Sequence, residues 1–371
     1  MRFLTADYLY SLSVSPIKQG VLQISDKGEV ISIFENRNEV PQDKLEIFEG
    51  IICPGFVNVH CHLELSHLLG KAEKGKGFLD FVGTVQQRNK YTPEEIQVAI
   101  EKAEKQMISN GIVGVGDICN TNDTLLQKQK GNLKYYNFIE TFGVHEHKID
   151  VVFSQVSDLR KEFRNAGQKA TIVPHAPYSV PPKLMSKIAN SFDRNDELFT
   201  IHNQEAKEEN ELFVNKNGKF FDWLNSIKAS SSIWLNRDKS IDILDELDNT
   251  KMLLVHNTFA KKEDITADYY CTCPKANLYI ENTLPDYSIF DVSKLCVGTD
   301  SLASNDSLSI LEELLVIQEN SNFDMSTLLK IACKNGAEAL GFESLGAFEK
   351  GKIPGVNLIV NFEKNIVKKL I

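Results

Sequence analysis

Four short stretches of the chain, far apart in sequence, each place residues of the metal-ligand type directly after an apolar run. Three histidine nitrogens and one carboxylate around a divalent metal leave a position open, and such a metal turns water into a nucleophile near neutral pH. The pattern therefore indicates a metal-dependent hydrolase. The residues are His60 and His62 after 57–59, His202 after 198–201, His256 after 252–255, and Asp300 after 295–299.

The elements that must position these residues alternate between short apolar runs, typical of buried parallel strands, and longer helical patterns. Helices are predicted over 93–109, 182–190 and 306–320, the last with Asp306 as its N-cap. Eight strand–helix units predict an α/β fold, a (β/α)8 TIM-like barrel, whose active site lies at the carboxyl ends of the strands. The predicted strands are 56–62, 112–118, 134–142, 170–175, 198–202, 251–256, 268–272 and 294–300.

Both ends of the chain differ in pattern from its middle. Short alternating runs before residue 50, and again over 357–362, predict small antiparallel strands. We expect them to form a composite β-sandwich domain from residues 1–50 and 346–371, beside a metal-dependent catalytic barrel over 51–345.

The overall composition restricts the partners. A net charge of −10 disfavours nucleic acid and anionic membranes, which repel an acidic surface, and leaves a small-molecule substrate. The N-terminus has no signal-peptide pattern, no run is long and apolar enough to span a membrane, and the seven cysteines are odd in number. We expect a cytoplasmic protein with buried, reduced thiols, and a homo-oligomer is compatible with these properties.

Six motifs in a fixed order resemble the amidohydrolase superfamily, and within it the mononuclear-metal deaminase branch. The resemblance implies that His60, His62, His202 and Asp300 hold one divalent metal ion, Zn²⁺ or, as the alternative, Fe²⁺. The only strong polar group at the fourth predicted strand is His175, where binuclear members carry a bridging lysine or acid, so a mononuclear site is expected. The motifs are 54–62, 174–179, 201–205, 298–305, 335–341 and 345–352.

The same resemblance assigns three residues to proton transfer and charge stabilisation. Glu205 is expected to donate a proton to a ring nitrogen of the substrate, and Asp300 to take a proton from the attacking water and pass it to departing ammonia. His256 is expected to orient that water. The implied reaction is the hydrolytic deamination of an amino-substituted heterocycle.

The loop after the first predicted strand suggests the substrate class. Its Glu64, Phe81 and Arg88 resemble the deaminases of aminodeoxyfutalosine, and the metal motifs are also similar to those of methylthioadenosine and adenosylhomocysteine deaminases. These three residues and His175 are the predicted substrate contacts, and a 6-aminopurine nucleoside is the expected substrate.

Three alternatives stay open from the sequence. The same fold also supports deamination of guanine, cytosine or a pterin, or hydrolytic dechlorination of a triazine-like ring. A non-catalytic barrel with a relic metal site is a second alternative, although Glu205 and His256 are not needed merely to hold a metal. A binuclear amide-ring hydrolase is the third, and the missing bridging residue argues against it.

Overall fold

The computed structural model describes residues 1–194, 196–247 and 250–371. Its strands are β1 Arg2–Thr5, β2 Tyr8–Leu9, β3 Ile17–Lys18, β4 Val21–Ile24, β5 Val30–Phe34, β6 Leu45–Ile47, β7 Ile51–Pro54, β8 Phe56–Cys61, β9 Ile112–Cys119, β10 Lys134–Thr141, β11 Lys169–Pro174, β12 Phe199–Asn203, β13 Met252–His256, β14 Tyr269–Thr272, β15 Leu295–Val297, β16 Val356–Asn361 and β17 Ile366–Lys369. Its helices are α1 Phe78–Val85, α2 Pro93–Ser109, α3 Leu125–Lys128, α4 Ile149–Asn165, α5 Pro182–Asn190, α6 Lys207–Asn215, α7 Lys219–Ser226, α8 Pro274–Glu281, α9 Ile310–Glu319, α10 Met325–Leu329 and α11 Asn335–Leu340.

The central strands form two four-stranded parallel sheets, in the orders β8-β9-β10-β11 and β12-β13-β14-β15. In both sheets the strands are therefore neighbours in the order in which they occur along the chain. Each strand pairs with the next one in sequence, which requires a crossover between them, and helices supply most of these crossovers. The eight strands coincide with the eight predicted ones to within a few residues. The prediction of an α/β fold built from parallel βα units is confirmed.

The two sheets also contact each other at both edges. On one side the backbone N–H of His202 donates to the carbonyl of His175 (3.0 Å). On the other side Cys61 and Asp300 form an isolated parallel bridge, and the N–H of Thr299 donates to the carbonyl of His60 (3.1 Å). These contacts bring the carboxyl ends of strands from both sheets to one place.

Gly298 makes the second of these contacts possible. A Cβ atom at this position would lie 2.7 Å from the carbonyl oxygen of His60 and 2.8 Å from its backbone nitrogen. Because any side chain would collide there, glycine lets the chain after β15 approach β8 closely. The residue two positions later, Asp300, is thereby placed beside His60.

The terminal strands form two further sheets, in the orders β5-β4-β1-β6 and β17-β16-β7-β2-β3. One apolar cluster contains buried residues from both of them, among others Leu4 and Leu22 from the first sheet and Ile52 and Leu358 from the second. Within the described ranges no helix has the length and apolarity needed to cross a membrane.

Helices α2 and α5 have the predicted bounds, whereas the predicted helix over 306–320 begins four residues late, as α9. Ser309 is the N-cap of this helix, because its side-chain oxygen accepts a hydrogen bond from the backbone N–H of Glu312. The prediction that Asp306 caps this helix is therefore wrong. Asp306 instead pairs with Lys74 at the surface (2.6 Å). All seven cysteines are buried and free, as predicted.

Candidate active site

His60 and His62 come from the end of β8 and the residue just beyond it. Residues two apart on a strand point to the same side, so a His-x-His sequence directs both rings to one place. Both side chains are buried, and their Nε2 atoms lie 3.2 Å apart. The Nε2 atom of His202, from β12, lies 3.2 Å from that of His62.

Asp300 completes this cluster from the other sheet. Its Oδ1 atom lies 3.6 Å from Nε2 of His60 and 3.4 Å from Nε2 of His62. Ligands at about 2.0–2.1 Å from a tetrahedral zinc ion are separated by about 3.3–3.4 Å. These four separations, 3.2, 3.2, 3.4 and 3.6 Å, are close to the edge length of a tetrahedral zinc site, and nitrogen and carboxylate donors are of the type that a divalent ion binds.

The protonation of the cluster also suits a metal. The Nδ1 atom of His202 donates to the carbonyl oxygen of His175 (2.8 Å), which leaves its Nε2 lone pair free for a ligand bond. Burial lowers the pKa of His62 to about 3 and that of His202 well below its ordinary value, so both rings are neutral at neutral pH. Burial alone would raise the pKa of Asp300, but the contact with His60 and the other nearby imidazoles outweigh it and hold that pKa well below its usual range.

Asp300 is held in an uncommon backbone conformation. Its φ angle is 54°, in the left-handed region that non-glycine residues seldom adopt. The hydroxyl of Ser304 donates to its Oδ2 atom (2.5 Å). Next to it, Thr299 and Asn58 exchange two hydrogen bonds, of 2.8 and 3.0 Å, that tie the strand end to β8. Local strain is thus fixed by surrounding hydrogen bonds at a residue that reaches the centre of the cluster.

Glu205 and His256 lie beside the cluster. The carboxylate Oε1 atom of Glu205 is 3.7 Å from Nε2 of His256, and both side chains are buried. Burial, followed by the negative charge of Asp300, raises the pKa of Glu205 well above its ordinary value. The raised pKa favours the protonated form of this carboxyl group, which is the form that can act as a proton donor.

The other ring nitrogen of His256 is fixed by a residue that the sequence did not indicate. Its Nδ1 atom lies 2.8 Å from Oδ1 of Asn277, a buried residue of α8. This contact directs Nε2 of His256 toward Glu205. Asn277 stands in an apolar helix pattern, and only its polarity within that pattern distinguishes it.

A buried carboxylate positions the chain that carries Glu205. The side chain of Glu209 accepts hydrogen bonds from the backbone N–H groups of Gln204 (3.0 Å) and Glu205 (3.2 Å). The charged run that follows Glu205 in sequence forms the start of α6 at Lys207. One acid of this run thus supports the loop, while Glu205 itself points into the site.

A cavity of about 610 Å³ opens onto the cluster. His62, His202, Glu205 and Asp300 form part of its polar wall. Its remaining wall is mostly apolar and aromatic, which is typical of small-molecule sites of about 300–1,000 Å³. The aromatic and aliphatic lining includes Phe78, Phe81, Phe142, Tyr178, Phe220 and Trp223.

Three of the four predicted substrate-contact residues line the cavity. Phe81, Arg88 and His175 line the cavity, and Glu64 does not. Glu64 lies behind Arg88, with its Oε1 atom accepting from Nη1 of that arginine (3.0 Å). Its other oxygen accepts from the backbone N–H groups of Asn120 and Thr121 (3.0 Å each) and from the hydroxyl of Thr121 (3.0 Å).

Glu140, near the end of β10, is a cavity residue that sequence reasoning missed. Its Oε1 atom lies 3.5 Å from Nδ1 of His202 and is buried without a hydrogen-bond partner among the described residues. Burial raises the pKa of this carboxyl to about 7. An acid at the carboxyl end of an otherwise apolar predicted strand was the signal that could have identified it.

The sequence profile of the Amidohydrolase family matches residues 51–371, which is most of the chain and includes every residue of the site described above. The protein belongs to the amidohydrolase family. The resemblance seen in the sequence motifs is thereby confirmed. Membership also agrees with two overlapping groups of residues that could hold a metal ion, His60, His62 and His202 in one and His60, His256 and Asp300 in the other.

Individual relatives of this amidohydrolase are similar over most of their length. The chain is 27% identical to an adenosine deaminase of Helicobacter pylori, over 84% of this chain and 80% of the relative. It is also 27% identical to an aminodeoxyfutalosine deaminase of Nitratiruptor sp., over 92% and 87%. Among solved structures, Helicobacter pylori aminofutalosine deaminase in complex with methylthio-coformycin superposes with a TM-score of 0.81 at 25% identity, covering 96% of this chain and 91% of that one.

Proposed function

We propose that the protein catalyses the metal-dependent hydrolytic deamination of a 6-aminopurine nucleoside, with release of ammonia. The observation that carries this proposal is the position of Glu205. A buried carboxyl group with a raised pKa lines the cavity beside His256 and a three-histidine, one-aspartate cluster. The relatives described above act on aminopurine nucleosides by name, which supports the same substrate class here.

The proposed metal ligands are His60, His62, His202 and Asp300, with Zn²⁺ as the expected ion and Fe²⁺ as the alternative. When bound, such an ion supplies a strong positive charge that makes a water molecule acidic and nucleophilic near neutral pH. The support for this assignment is the match between the ligand-atom separations and a tetrahedral site.

The proton transfers are assigned to residues of the chain. Protonated Glu205 donates to the ring nitrogen next to the carbon that is attacked, which makes that carbon more electrophilic. Asp300, whose low pKa keeps it ionised, accepts a proton from the attacking water and delivers it to the departing amino group. His256, with Nδ1 held by Asn277, presents Nε2 to the water and stabilises the charge that develops as it attacks.

The remaining wall of the cavity is proposed to bind the substrate. Phe81 and His175 line the cavity and would contact the purine or its substituent, and Arg88 would contact a polar substituent. Glu64 would act by orienting Arg88, because its carboxylate is occupied by that guanidinium and by two backbone N–H groups.

The proposed function also implies how the sheets are arranged around the site. We propose that the two parallel sheets form one closed (β/α)8 barrel over residues 51–345. The hydrogen bonds between the sheets at both edges support closure. We also propose that residues 1–50 and 346–371 form one composite β-sandwich, supported by the apolar cluster that the two terminal sheets share.

The test is ammonia release by zinc-loaded protein across a panel of nucleosides and bases. The panel contains aminodeoxyfutalosine, adenosine, methylthioadenosine and adenosylhomocysteine, with guanine, cytosine and a pterin as competing substrates. Strong release from one or more 6-aminopurine nucleosides is expected. Release confined to guanine, cytosine or the pterin, or no release while one metal ion is bound per chain, would overturn the proposal.

A further inference from the structure

Lys128, the last residue of α3, is a buried cation outside the lining of the active-site cavity. Its side chain is 0% exposed, as is that of its partner Asp117 in β9, whose Oδ2 atom lies 2.5 Å from Nζ of the lysine. The ammonium group also contacts Oδ1 of Asn137 (2.7 Å) and Sγ of Cys119 (3.1 Å). Its three donors are therefore all engaged within the protein.

Stability alone does not account for this ion pair. The cost of taking two charges out of water can exceed their mutual attraction, and replacing a buried pair by apolar residues is often neutral or stabilising. Direct contact with the substrate does not account for it either, because Asp117 and Lys128 both lie outside the lining of the cavity. The remaining contact of the pair is made by the second oxygen of Asp117.

The second oxygen of Asp117 holds the peptide group that follows His62. Oδ1 of Asp117 accepts a hydrogen bond from the backbone N–H of Leu63 (2.8 Å). This N–H belongs to the peptide group between His62 and Leu63, and the orientation of that group sets the ψ angle of His62, which is 75°. Asp117 thus acts on a backbone torsion of a proposed metal ligand.

The pairing of the strands does not fix this part of the chain by itself. The pairing of β8 with β9 shifts its register between Asn58 and Cys61, and β8 ends at Cys61, opposite Asp117. The backbone N–H groups beyond the strand end need other acceptors. The Asp117 side chain supplies one of them to Leu63, at the point where the chain leaves the sheet.

Lys128 fixes the direction of the Asp117 carboxylate. Because the ammonium group holds Oδ2, the carboxylate cannot turn Oδ1 away from Leu63 without losing that contact. Lys128 is anchored in turn through its neighbour Gln127, whose amide donates to the buried carboxylate of Glu104 in α2. The contacts from α2 to the peptide after His62 are therefore continuous.

We infer that Asp117 and Lys128 form a positioning pair for the metal centre, which fixes the peptide after His62 and so directs the ring of that histidine toward the other ligands. The inference rests on the proposed assignment of His62 as a metal ligand. It predicts that metal affinity depends on an oxygen acceptor at position 117 and not on the charges of the pair.

The experiment compares two double variants that differ only in this acceptor, Asp117→Asn/Lys128→Met and Asp117→Leu/Lys128→Met. Both remove the two charges together, so neither leaves an unpaired buried charge. Asparagine keeps an oxygen for the N–H of Leu63, whereas leucine has a similar size and no acceptor. The control is Ile188→Ala, at a fully buried residue of α5, which destabilises the fold by leaving a cavity.

Three quantities are measured for the wild type and each variant. They are the dissociation constant of Zn²⁺ by competition with a chelator, the absorption spectrum of bound Co²⁺, and the Tm of the metal-free protein. The spectrum responds to ligand geometry, and the Tm separates an effect on the metal centre from a general loss of stability.

The leucine double variant is expected to bind Zn²⁺ about 10- to 100-fold more weakly than the wild type, the range for losing a residue that orients a metal ligand. Its Co²⁺ spectrum should also change. The asparagine double variant should stay within about three-fold of the wild-type affinity, well below that range, and keep the wild-type spectrum. Ile188→Ala should lower Tm and leave affinity and spectrum unchanged.

Two results would overturn the positioning role. Equal Zn²⁺ affinities of the two double variants would show that the acceptor at position 117 does not matter. A loss of affinity in Ile188→Ala as large as in the leucine double variant would show that affinity follows overall stability. Because no substrate is present, failure of the proposed deamination would not alter these affinities, whereas a wild type that binds no Zn²⁺ would refute the metal site and the inference together.

Discussion

The two parallel sheets present their strand ends to the cavity in different ways. At the ends of the second sheet several non-glycine residues have positive φ angles: Gln204, His256, Asn257 and Asp300, at 47°, 68°, 52° and 54°. Within the described ranges, the residues that end the strands of the first sheet show no such angle. Each non-glycine residue in this region costs about 1–3 kcal/mol and persists only where surrounding contacts enforce it.

The strained side is also the side that carries the proposed proton-transfer groups. Glu205 and Asp300 follow strands of the second sheet and His256 ends one, whereas Arg88, Glu140 and His175 belong to the first sheet and its loops. In the first sheet, the backbone at the strand ends has common φ angles, and side-chain hydrogen bonds position the functional groups. We therefore expect changes on the second side to reduce kcat. Apart from the proposed metal ligands His60 and His62, we expect changes on the first side to act mainly on substrate binding.

The largest effect is expected from Asp300→Asn. The amide cannot accept a proton from water and is a weaker metal ligand, so kcat should fall by at least about 1,000-fold, toward the upper range of proton-transfer effects. Steady-state ammonia release and metal analysis measure the two contributions. Asp306→Asn, at an exposed aspartate, is the matched control and should keep wild-type rates. Near-normal turnover by the Asp300→Asn protein would show that Asp300 does not transfer the proton.

Glu205→Gln is expected to lower kcat by about 100- to 1,000-fold while the protein keeps its metal, because this carboxyl group donates a proton and is not a proposed ligand. Glu211→Gln, four residues before the end of α6 and exposed, is the control. A Glu205→Gln protein purified without metal would show that Glu205 has been misassigned.

The pH dependence of kcat tests the same group. Burial raises the pKa of Glu205 well above its ordinary value, so the carboxyl group keeps its proton to a higher pH than an ordinary glutamate and loses it as the pH rises further. Activity should fall on the alkaline side of the profile as this proton is lost, and Glu205→Gln should lack that fall. A wild-type profile that rises with pH over the whole range would contradict a protonated Glu205.

On the first side, Arg88→Ala is expected to raise KM by about 10-fold and to leave kcat within about two-fold, because the arginine binds substrate and does not take part in proton transfer. Lys90→Ala, at an exposed lysine of the same segment, is the control. A loss in kcat as large as that of Glu205→Gln would erase the distinction between the two sides.

The last prediction concerns stability and not turnover. Glu313 of α9 accepts from Nδ2 of Asn305 (2.7 Å) and from the backbone N–H of Lys275 (2.8 Å), so it supports loops of the second sheet. Burial raises its pKa to about 8, against an ordinary value near 4.3 in the unfolded chain.

Between these two pH values the folded protein holds a proton that the unfolded chain has released. Glu313 therefore lowers the free energy of unfolding as the pH rises through this window, by at most about 1.4 kcal/mol per pH unit, and has no further effect above it. Urea unfolding of wild type and Glu313→Gln at several pH values measures the difference. Parallel pH profiles for the two proteins would contradict the raised pKa.

Much of the site follows from local sequence. His60, His62, His202 and His256 each follow an apolar run, and parallel strands bring their carboxyl ends together, so pattern alone predicts that these side chains meet. The strand bounds are also predictable from the sequence, because short apolar runs between helical segments are typical of buried parallel strands.

What could not be predicted depends on contacts between distant segments. The occupation of Glu64 by Arg88 and by the N–H groups of Asn120 and Thr121 exists only when two loops fold against each other. The role of Asn277 depends on its contact with His256, which the sequence alone does not reveal. The start of α9 was misplaced because two polar residues, Asp306 and Ser309, were both able to cap it, and long-range pairing of Asp306 with Lys74 leaves the cap to Ser309.

Above all, we propose that this chain replaces an amino group of a purine nucleoside with oxygen from water. The most direct measurement follows the metal-loaded wild type and Glu205→Gln with the best nucleoside in water enriched in heavy oxygen, recording ammonia and the mass of the product. We expect one ammonia molecule to be released for each labelled oxygen atom gained by the purine ring, and we expect Glu205→Gln to lose most of the rate. A product without label in the ring, or an undiminished rate in the variant, would contradict it.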